Sequence, residues 1–270
     1  KSADAKMKLS ENNQAAKWFA EETKKNDWVV ETADGLFLNP AIPEARQLVI
    51  DGAVEIVKNY DVDAIHLDDY FYPTTDESFD YEQNASNPPK AYNRYLSEGG
   101  KLSHADFRRE NINQLVSGLY KAVKDADSSV AVGISPQGNN DNNYNTQYAD
   151  VTKWMQSDGY LDYVCPQIYW EFSNAQAPFS DKLAQWSALA TNEDVALYIG
   201  LAPYKIGTEG EWAETDDLMK RQIETIANNK RSAGFMLFRY DSLFHPSDSI
   251  SQQVDAEKQN IEAFLKTDGN

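Results

Sequence analysis

The chain has 270 residues, of which 43 are Asp or Glu and 25 are Lys or Arg, so its formal net charge at pH 7 is −18. Nucleic-acid binding depends on clustered Lys and Arg side chains, and no basic stretch occurs, so a nucleic-acid partner is not expected. Hydrophobic residues make up 41% of the chain, enough for a sizeable core. No apolar run approaches the ~20 residues of a membrane-spanning helix, so no membrane span is expected.

The single cysteine and the first residues bear on the environment of the protein. Cys165 lies in an apolar run, where a buried small hydrophobe is expected rather than a nucleophile, and one cysteine excludes an intrachain disulfide. Residues 1–5 carry no signal-peptide pattern. Because the start resembles a trimmed boundary, secretion is not excluded.

Five short apolar runs, each ending in polar or aromatic residues, predict the strands of a sheet. They span residues 62–73, 131–136, 162–171, 197–205 and 234–241. Runs of this length and composition are typical of strands buried on both faces of a parallel sheet. Polar groups gathered at the carboxyl ends of such strands are what a (β/α) barrel presents at its catalytic face.

Amphipathic segments of helical period separate these runs. They cover residues 43–60, 107–123, 181–190 and 217–227, with a closing helix around 261–265. Strands that alternate with helices predict βαβ units, and hence an α/β fold of the (β/α)8 TIM-barrel type. Three polar stretches interrupt the pattern as predicted loops: residues 74–101, which we expect to cover the site, 137–145 and 208–215.

Asp68 and Asp69 end the first run and are the first candidates for chemistry. Since side chains alternate faces along a strand, His66 and Asp68 share one face. Two adjacent carboxylates followed by three aromatic residues, the last of them Tyr72, suggest a catalytic acid beside a sugar-stacking wall. One alternative is a pair of helix-capping or loop-anchoring aspartates. Another is that one aspartate is catalytic and the other orients it.

The third run contributes a second group of candidates. Gln167, Tyr169 and Glu171 occupy alternate positions, so a strand that continues through them would align an amide, a phenol and a carboxylate in one column. Trp170 lies beside them. The alternative for Glu171 is an ordinary loop glutamate.

The last run ends in Arg239 and Asp241, a third pair that shares one face. Arg239 is a candidate to clamp a substrate carboxylate or to hold Asp68 ionised, and Asp241 is a reserve catalytic acid. A purely structural salt bridge across the barrel mouth is equally compatible with the sequence.

The remaining candidates are predicted to bind substrate. Tyr204 and Lys205 end the fourth run, and we expect Lys205 to hydrogen-bond substrate rather than to act as a nucleophile. Tyr72, Trp170 and Tyr204 are expected to line one cleft, partly exposed, although core packing is the commoner fate of aromatic residues. Asn39 is a weaker candidate.

Several familiar catalytic patterns are absent from the sequence. It contains no HExxH, CxxC or phosphate-loop motif and only three histidines, so a metal site is disfavoured and no cofactor is expected. A GxSxG elbow is also missing, which argues against an α/β-hydrolase. Carboxylates and abundant aromatic residues fit glycoside hydrolysis, which requires only two acids.

A resemblance extends over most of the chain, from about Trp28 to Asp241. It is carried by Leu38-Asn39-Pro40, the stretch from Tyr60 to Pro73, Gly133-Ile134-Ser135-Pro136, Cys165 to Trp170, Leu201 to Lys205 and Phe238 to Asp241. These segments resemble the glycosyl hydrolase-like 10 family of bacterial cell-surface proteins. The resemblance implies a (β/α)8 barrel, a secreted or cell-surface location and, as for some members, cleavage of peptidoglycan glycan strands.

One departure from that family concerns closure of the barrel. Members typically have three further strand units before the Leu38-Asn39-Pro40 turn, so residues 1–270 are expected to form a single barrel domain that lacks its N-terminal strands. The strand that ends in Asp68 would then expose an edge. We expect one of three outcomes for this edge. Residues 28–39 fold back as a substitute strand, a second copy of the chain pairs with the edge in a dimer, or the edge remains bare.

Three hypotheses follow. The first is a glycoside hydrolase acting on a bacterial cell-wall or other polysaccharide, with Glu171 and one of Asp68 and Asp69 as the acid pair. The second is a non-catalytic glycan-binding module on a degenerate glycosidase barrel. The third is a metal-dependent deacetylase that uses His66 and Asp68.

Overall fold

The computed structural model of the protein describes residues 10–32, 35–69, 71–72 and 89–268. These residues belong to two compact units. The first lies within 1–65, 70–130 and 141–151, and the second within 66–69, 131–140 and 152–270. Within the described part of the chain, no helix is long and apolar enough to cross a membrane. A single domain over residues 1–270 stays a prediction.

The first unit is mainly helical and contains a β-hairpin. Its elements are α1 (Gln14–Ala20), β1 (Val29–Thr32), β2 (Gly35–Leu38), α2 (Pro43–Asn59), α3 (Ala91–Ser97), α4 (His104–Ala126) and α5 (Asn140–Asn145), whose first residue falls in the second unit. β1 and β2 pair antiparallel, from Val29 opposite Leu38 to Thr32 opposite Gly35. The expectation that residues 28–39 substitute for a strand of the parallel sheet is therefore wrong, because these strands pair with each other.

Helices α2 and α4 pack together and carry part of the core of this unit. Pro43 begins α2, where its missing N–H costs no helical hydrogen bond. The Ser103 side chain caps α4 by accepting from the backbone N–H of Asp106. The guanidinium of Arg46 donates to the side chain of Asn111 at 3.1 Å, which ties the two helices together.

The second unit is built on a five-stranded parallel sheet. Its strands are β3 (Ala64–Leu67), whose first two residues fall in the first unit, β4 (Ala131–Ile134), β5 (Tyr163–Val164), β6 (Ala196–Leu201) and β7 (Ser232–Leu237). Their spatial order is the same as their order in the chain. The associated helices are α6 (Val151–Gln156), α7 (Phe179–Leu189), α8 (Glu211–Glu214), α9 (Leu218–Ala227), α10 (Tyr240–Phe244) and α11 (Ser251–Asp268).

In the part of the chain that the structure describes, β3 and β7 are the edge strands of the sheet, and the inner strand β6 has one fully buried face. Along β6, Leu197, Ile199 and Leu201 are completely buried, whereas Tyr198 on the other face is half-buried. Among the described residues, no strand pairs with the outer side of β3 or β7. Five strands in consecutive order, each preceded or followed by helices, confirm the α/β prediction and are compatible with part of a (β/α)8 barrel.

Polar composition misled the loop predictions in part. Residues 91–97, 140–145 and 211–214 lie in stretches predicted as loops, yet they form the helices α3, α5 and α8. Helix propensity is a weak prior that tertiary contacts override, and the Asn-rich α5 is the clearest example. The predicted cover over residues 74–88 lies outside the described residues.

Candidate active site

The third predicted strand ends much earlier than the sequence suggests. β5 stops at Val164, and Gln167 makes only isolated bridges to Gln137 and Gly200. Beyond it the backbone N–H of Tyr169 donates to the carbonyl of Gln167, two residues earlier. Because such a bond closes a tight turn, the column of Gln167, Tyr169 and Glu171 on one continuous strand is wrong.

Two glutamines instead hold the two aspartates at the carboxyl ends of β3, β4 and β5. The Gln167 amide donates to the Asp68 carboxylate at 2.9 Å and to the Ser135 carbonyl at 3.0 Å. The Gln137 side chain hydrogen-bonds Asp69. Asp68 in turn accepts the backbone N–H of Asp69 at 2.9 Å. The sequence-distant strand ends thus converge, as a parallel sheet requires.

The two aspartates differ in environment. Asp68 is exposed, whereas Asp69 is only 6% exposed. Burial raises the pKa of Asp69 to about 6, and a hydrogen bond to Asp68 and the charge of Asp68 act in the same direction. The hydrogen bond from Gln137 partly opposes this rise. Asp69 is therefore the carboxyl group of the pair that keeps a proton near pH 6.

His66 lies on β3, two residues before Asp68, and contacts a tyrosine from β5. Its Nδ1 is 2.9 Å from the Tyr163 hydroxyl, and the two rings stack with centroids 5.8 Å apart. Tyr163 reaches His66 across β4 because Gly133 has no side chain: a Cβ there would lie 2.0 Å from the Tyr163 ring. Desolvation lowers the pKa of His66, although the charge of Asp68 opposes this.

Tyr169 connects the aspartates with the residues that end β6. Burial raises the pKa of its phenol above the usual range, and the charges of Asp68 and Asp69 contribute to that rise. Its carbonyl accepts the Lys205 ammonium at 2.8 Å, and its ring meets that of Tyr204 edge to face at 5.8 Å. Lys205 thus holds the loop after β5, and whether it also contacts substrate stays a prediction.

Trp170 and Glu171 lie further along the same loop. Trp170 packs against Gly138, where a Cβ would lie 2.5 Å from the indole ring. The Glu171 carboxylate lies beside Gly210, with Oε1 3.5 Å from the position of a Cβ on that glycine. Among the described residues, no hydrogen bond joins Glu171 to Asp68 or Asp69.

Arg239 and Asp241 follow β7 and pair with each other. Their side chains form an ion pair at 3.4 Å, and both are largely exposed. The described ion pair of Arg239 is with Asp241, two residues later in the chain, and neither with Asp68 nor with a residue across the barrel mouth. Exposed pairs of this kind contribute little to stability.

Two predicted substrate-binding residues are buried within the first unit. Tyr72 meets Tyr148 edge to face at 5.4 Å, and the Arg108 guanidinium lies 5.3 Å from its ring. The expectation that Tyr72 is partly exposed is therefore wrong. Asn39 is fully buried, and its amide donates to the Asp27 carbonyl and accepts from the Ala41 N–H. These backbone partners favour a structural role for Asn39.

Of two further residues, the role of Gln137 was not predicted from the sequence, whereas the burial of Cys165 was predicted correctly. Gln137 was assigned to a polar loop, although it shares its alternation with Gly133 and Ser135 along the β4 direction. Cys165 is buried, and burial raises the pKa of its thiol to about 12, so it is not poised as a nucleophile. In the described part of the chain, no three His, Cys, Asp or Glu side chains form a metal-binding group.

Comparison with known proteins identifies the family of this chain. A sequence profile described as Glycosyl hydrolase-like 10 matches residues 4–216, which include β3 to β6 and both aspartates. The chain belongs to the glycosyl hydrolase-like 10 family. The family's barrel-like fold accounts for the consecutive parallel strands of the second unit.

Two similar curated proteins give the scale of the match. Glycosyl hydrolase YngK of Bacillus subtilis (strain 168) is 35% identical over 244 residues, covering 81% of this chain and 44% of that protein. Glycosyl hydrolase DigH of Escherichia coli (strain K12) is 33% identical over 241 residues, covering 82% and 53%. The chain therefore spans about half the length of the curated relatives it matches.

Proposed function

We propose that the protein is a glycoside hydrolase that cleaves a bacterial cell-wall polysaccharide, with the glycan strands of peptidoglycan as the leading substrate. The observation that carries this proposal is Asp69, a buried carboxyl group whose pKa is raised to about 6 at the carboxyl ends of parallel strands. A glycosidase needs such a group to protonate the departing sugar oxygen.

Asp68 and Asp69 are not the two catalytic acids of a glycosidase in this proposal, because they lie too close together. They form one unit that supplies one of the two acids. Their carboxyl groups share a hydrogen bond. The two acids of a glycosidase stand ~5 Å apart in retaining enzymes and ~6.5–9.5 Å apart in inverting ones. Asp69 is therefore assigned as the proton donor, and Asp68, held by Gln167, orients it and favours its protonated form.

The second acid of the mechanism is assigned to Glu171. It is half-buried and lies on the loop that follows β5, four residues after Gln167. Asp241 is the weaker candidate because its exposed carboxylate is paired with Arg239. A glycosidase uses this acid as a nucleophile or as a base that activates water.

The choice of substrate rests on the family and on charge. Both relatives are named glycosyl hydrolases. The resemblance to a family of cell-surface proteins, some of which cleave peptidoglycan glycan strands, suggests the substrate. A net charge of −18 disfavours binding of strongly anionic polymers. We accordingly place the protein at the bacterial cell surface.

The test is hydrolysis of peptidoglycan stripped of its peptides, alongside a panel of neutral polysaccharides. Asp69→Asn and Glu171→Gln should each reduce kcat by at least about a hundredfold, since a positioned acid or base contributes about 10²–10⁴-fold. Wild-type activity should fall above about pH 6 as Asp69 loses its proton. Glu193→Gln, an exposed carboxylate before the amino end of β6, is the matched control.

Two results would contradict the proposal. Full activity in Asp69→Asn would remove the assigned proton donor. Binding of glycans without hydrolysis, in wild type as well as in both variants, would favour the non-catalytic glycan-binding module.

A further inference from the structure

Exposed aromatic side chains gather at one end of the parallel sheet. Tyr204, Phe238, Tyr240 and Phe244 have exposed fractions of 44%, 52%, 65% and 54%. All four follow the carboxyl ends of β6 and β7, and α10 packs against the turn at Pro203–Lys205 that carries Tyr204. Large exposed apolar groups concentrated in one place mark a binding surface rather than ordinary surface variation.

The aromatic group is continuous with the aspartate pair. The ring centroids of Tyr169 and Tyr204 are 5.8 Å apart, and those of Tyr204 and Phe238 are 6.2 Å apart. Both contacts are edge to face, so the three rings form a connected row. The backbone N–H of Tyr169 donates to the carbonyl of Gln167, whose amide donates to the Asp68 carboxylate at 2.9 Å, so the row begins beside the aspartate pair.

The chemistry of the row favours a sugar over other ligands. Its members are aromatic rather than aliphatic, and aromatic faces accept the C–H faces of pyranose rings while phenol groups hydrogen-bond hydroxyls. The charge of −18 and the nearby carboxylates disfavour nucleic acid and anionic lipid surfaces. The exposed Arg239–Asp241 pair supplies polar groups beside the rings.

We infer that Tyr204 and Phe238 form a stacking platform for a saccharide chain, which extends the site from Asp68 and Asp69 toward α10. Sugar units beyond the one at the aspartates would contact these two rings, which stand at right angles to each other and so offer the chain one ring face and one ring edge. This inference rests on the proposed function because the same chain would be the substrate.

Binding can be measured without turnover in the Asp69→Asn background, using the hexasaccharide of β-1,4-linked N-acetylglucosamine and calorimetry. Tyr204→Ala and Phe238→Ala should each raise Kd about three- to tenfold, the range for loss of one aromatic contact. Phe238→Tyr should bind like the parent. Phe238→Leu keeps an apolar side chain but loses the aromatic face, so it should weaken binding even if the alanine variant folds poorly. Tyr60→Ala, an exposed aromatic residue after α2, is the control.

The outcomes separate this inference from the proposed function. Ring-dependent binding by a wild-type protein that hydrolyses nothing would support the platform and overturn the hydrolase. Hydrolysis with a hexasaccharide Kd unchanged in Tyr204→Ala and Phe238→Ala would overturn the platform alone. Absence of hexasaccharide binding would also overturn the platform. So would sedimentation that shows a dimer, if Phe238→Ala dissociates this dimer and the sugar does not affect it, because the rings would then serve as a dimer contact.

Discussion

At the scale of single residues, protonation of Asp69 is the property that distinguishes this site from an ordinary strand end. Its neighbour Asp68 has the same side chain and the same position in the motif, yet Asp68 is exposed and Asp69 is buried. One carboxylate solvated by water and one shielded from it give two chemical roles within two residues.

This difference predicts a pH-dependent stability. The pKa of Asp69 is raised from 3.8 to about 6, so between those values the folded protein binds a proton more tightly than the unfolded chain does. The free energy of unfolding should therefore fall as pH rises through this window and level off above about pH 6, by on the order of 3 kcal/mol. Urea unfolding of Asp69→Asn should lack that fall.

The comparison is made between wild type and Asp69→Asn at each pH, because the other carboxyl groups then cancel. Asp63→Asn, which alters an exposed aspartate just before β3, should follow the wild-type curve. A difference between wild type and Asp69→Asn that is constant from pH 4 to pH 7 would show that Asp69 is not perturbed.

At the scale of elements, one carboxylate joins the last two long helices of the second unit. Glu257 of α11 is buried, and its Oε1 accepts the backbone N–H of Met219 at 3.1 Å in the first turn of α9. Burial raises the pKa of Glu257, while the N–H groups of residues 218–220 oppose the rise. Asp217, the residue before α9, makes no side-chain cap, so Glu257 takes over that task from another helix.

Glu257→Ala should lower the free energy of unfolding by about 1–3 kcal/mol, because it leaves buried helix-end N–H groups without an acceptor. Chemical unfolding in urea at pH 7 measures the change. Glu262→Ala, which removes an exposed glutamate paired with Lys266 on the same helix, should change it by less than about 0.5 kcal/mol. Equal effects of the two substitutions would argue against the capping role.

At the scale of the whole molecule, excess negative charge opposes compactness. The net charge is −18, so the carboxylates repel one another. This repulsion extends over ~30 Å at 0.01 M salt but only over ~8 Å at 0.15 M, because added ions screen it. The urea midpoint at pH 7 should therefore rise with NaCl over this range, and equally with KCl. A midpoint that falls with either salt would mean that favourable ion pairs outweigh the repulsion.

The sheet of the second unit also has consequences at this scale. Both β3 and β7 lack a strand partner on their outer sides among the described residues, and β7 is half-buried along most of its length. Five parallel strands do not close a barrel of eight. The chain matches about half of each relative, in line with this partial architecture.

The five parallel strands, the longer helices, the fold class and the family could be predicted from the sequence, whereas the β1–β2 hairpin and the helices α3, α5 and α8 could not. Periodicity and strand-end motifs are local properties of the chain. They therefore predict helices such as α2 and α4, and the five strands, without any knowledge of tertiary contacts. The gathering of polar groups at one edge of the sheet also followed, because the carboxyl ends of parallel strands meet there.

Which of these residues have the burial, hydrogen bonds and pKa that catalysis requires depends on the tertiary structure. Burial and hydrogen bonding depend on neighbours distant in the chain: Gln167 is 99 residues from the Asp68 carboxylate it holds, and no local pattern encodes that contact. The same cause buried Tyr72 and Asn39, ended β5 before Glu171, and raised the pKa of Asp69. Local sequence patterns predict most of the elements and the chemical groups they carry, whereas packing determines which groups meet and which are shielded from water.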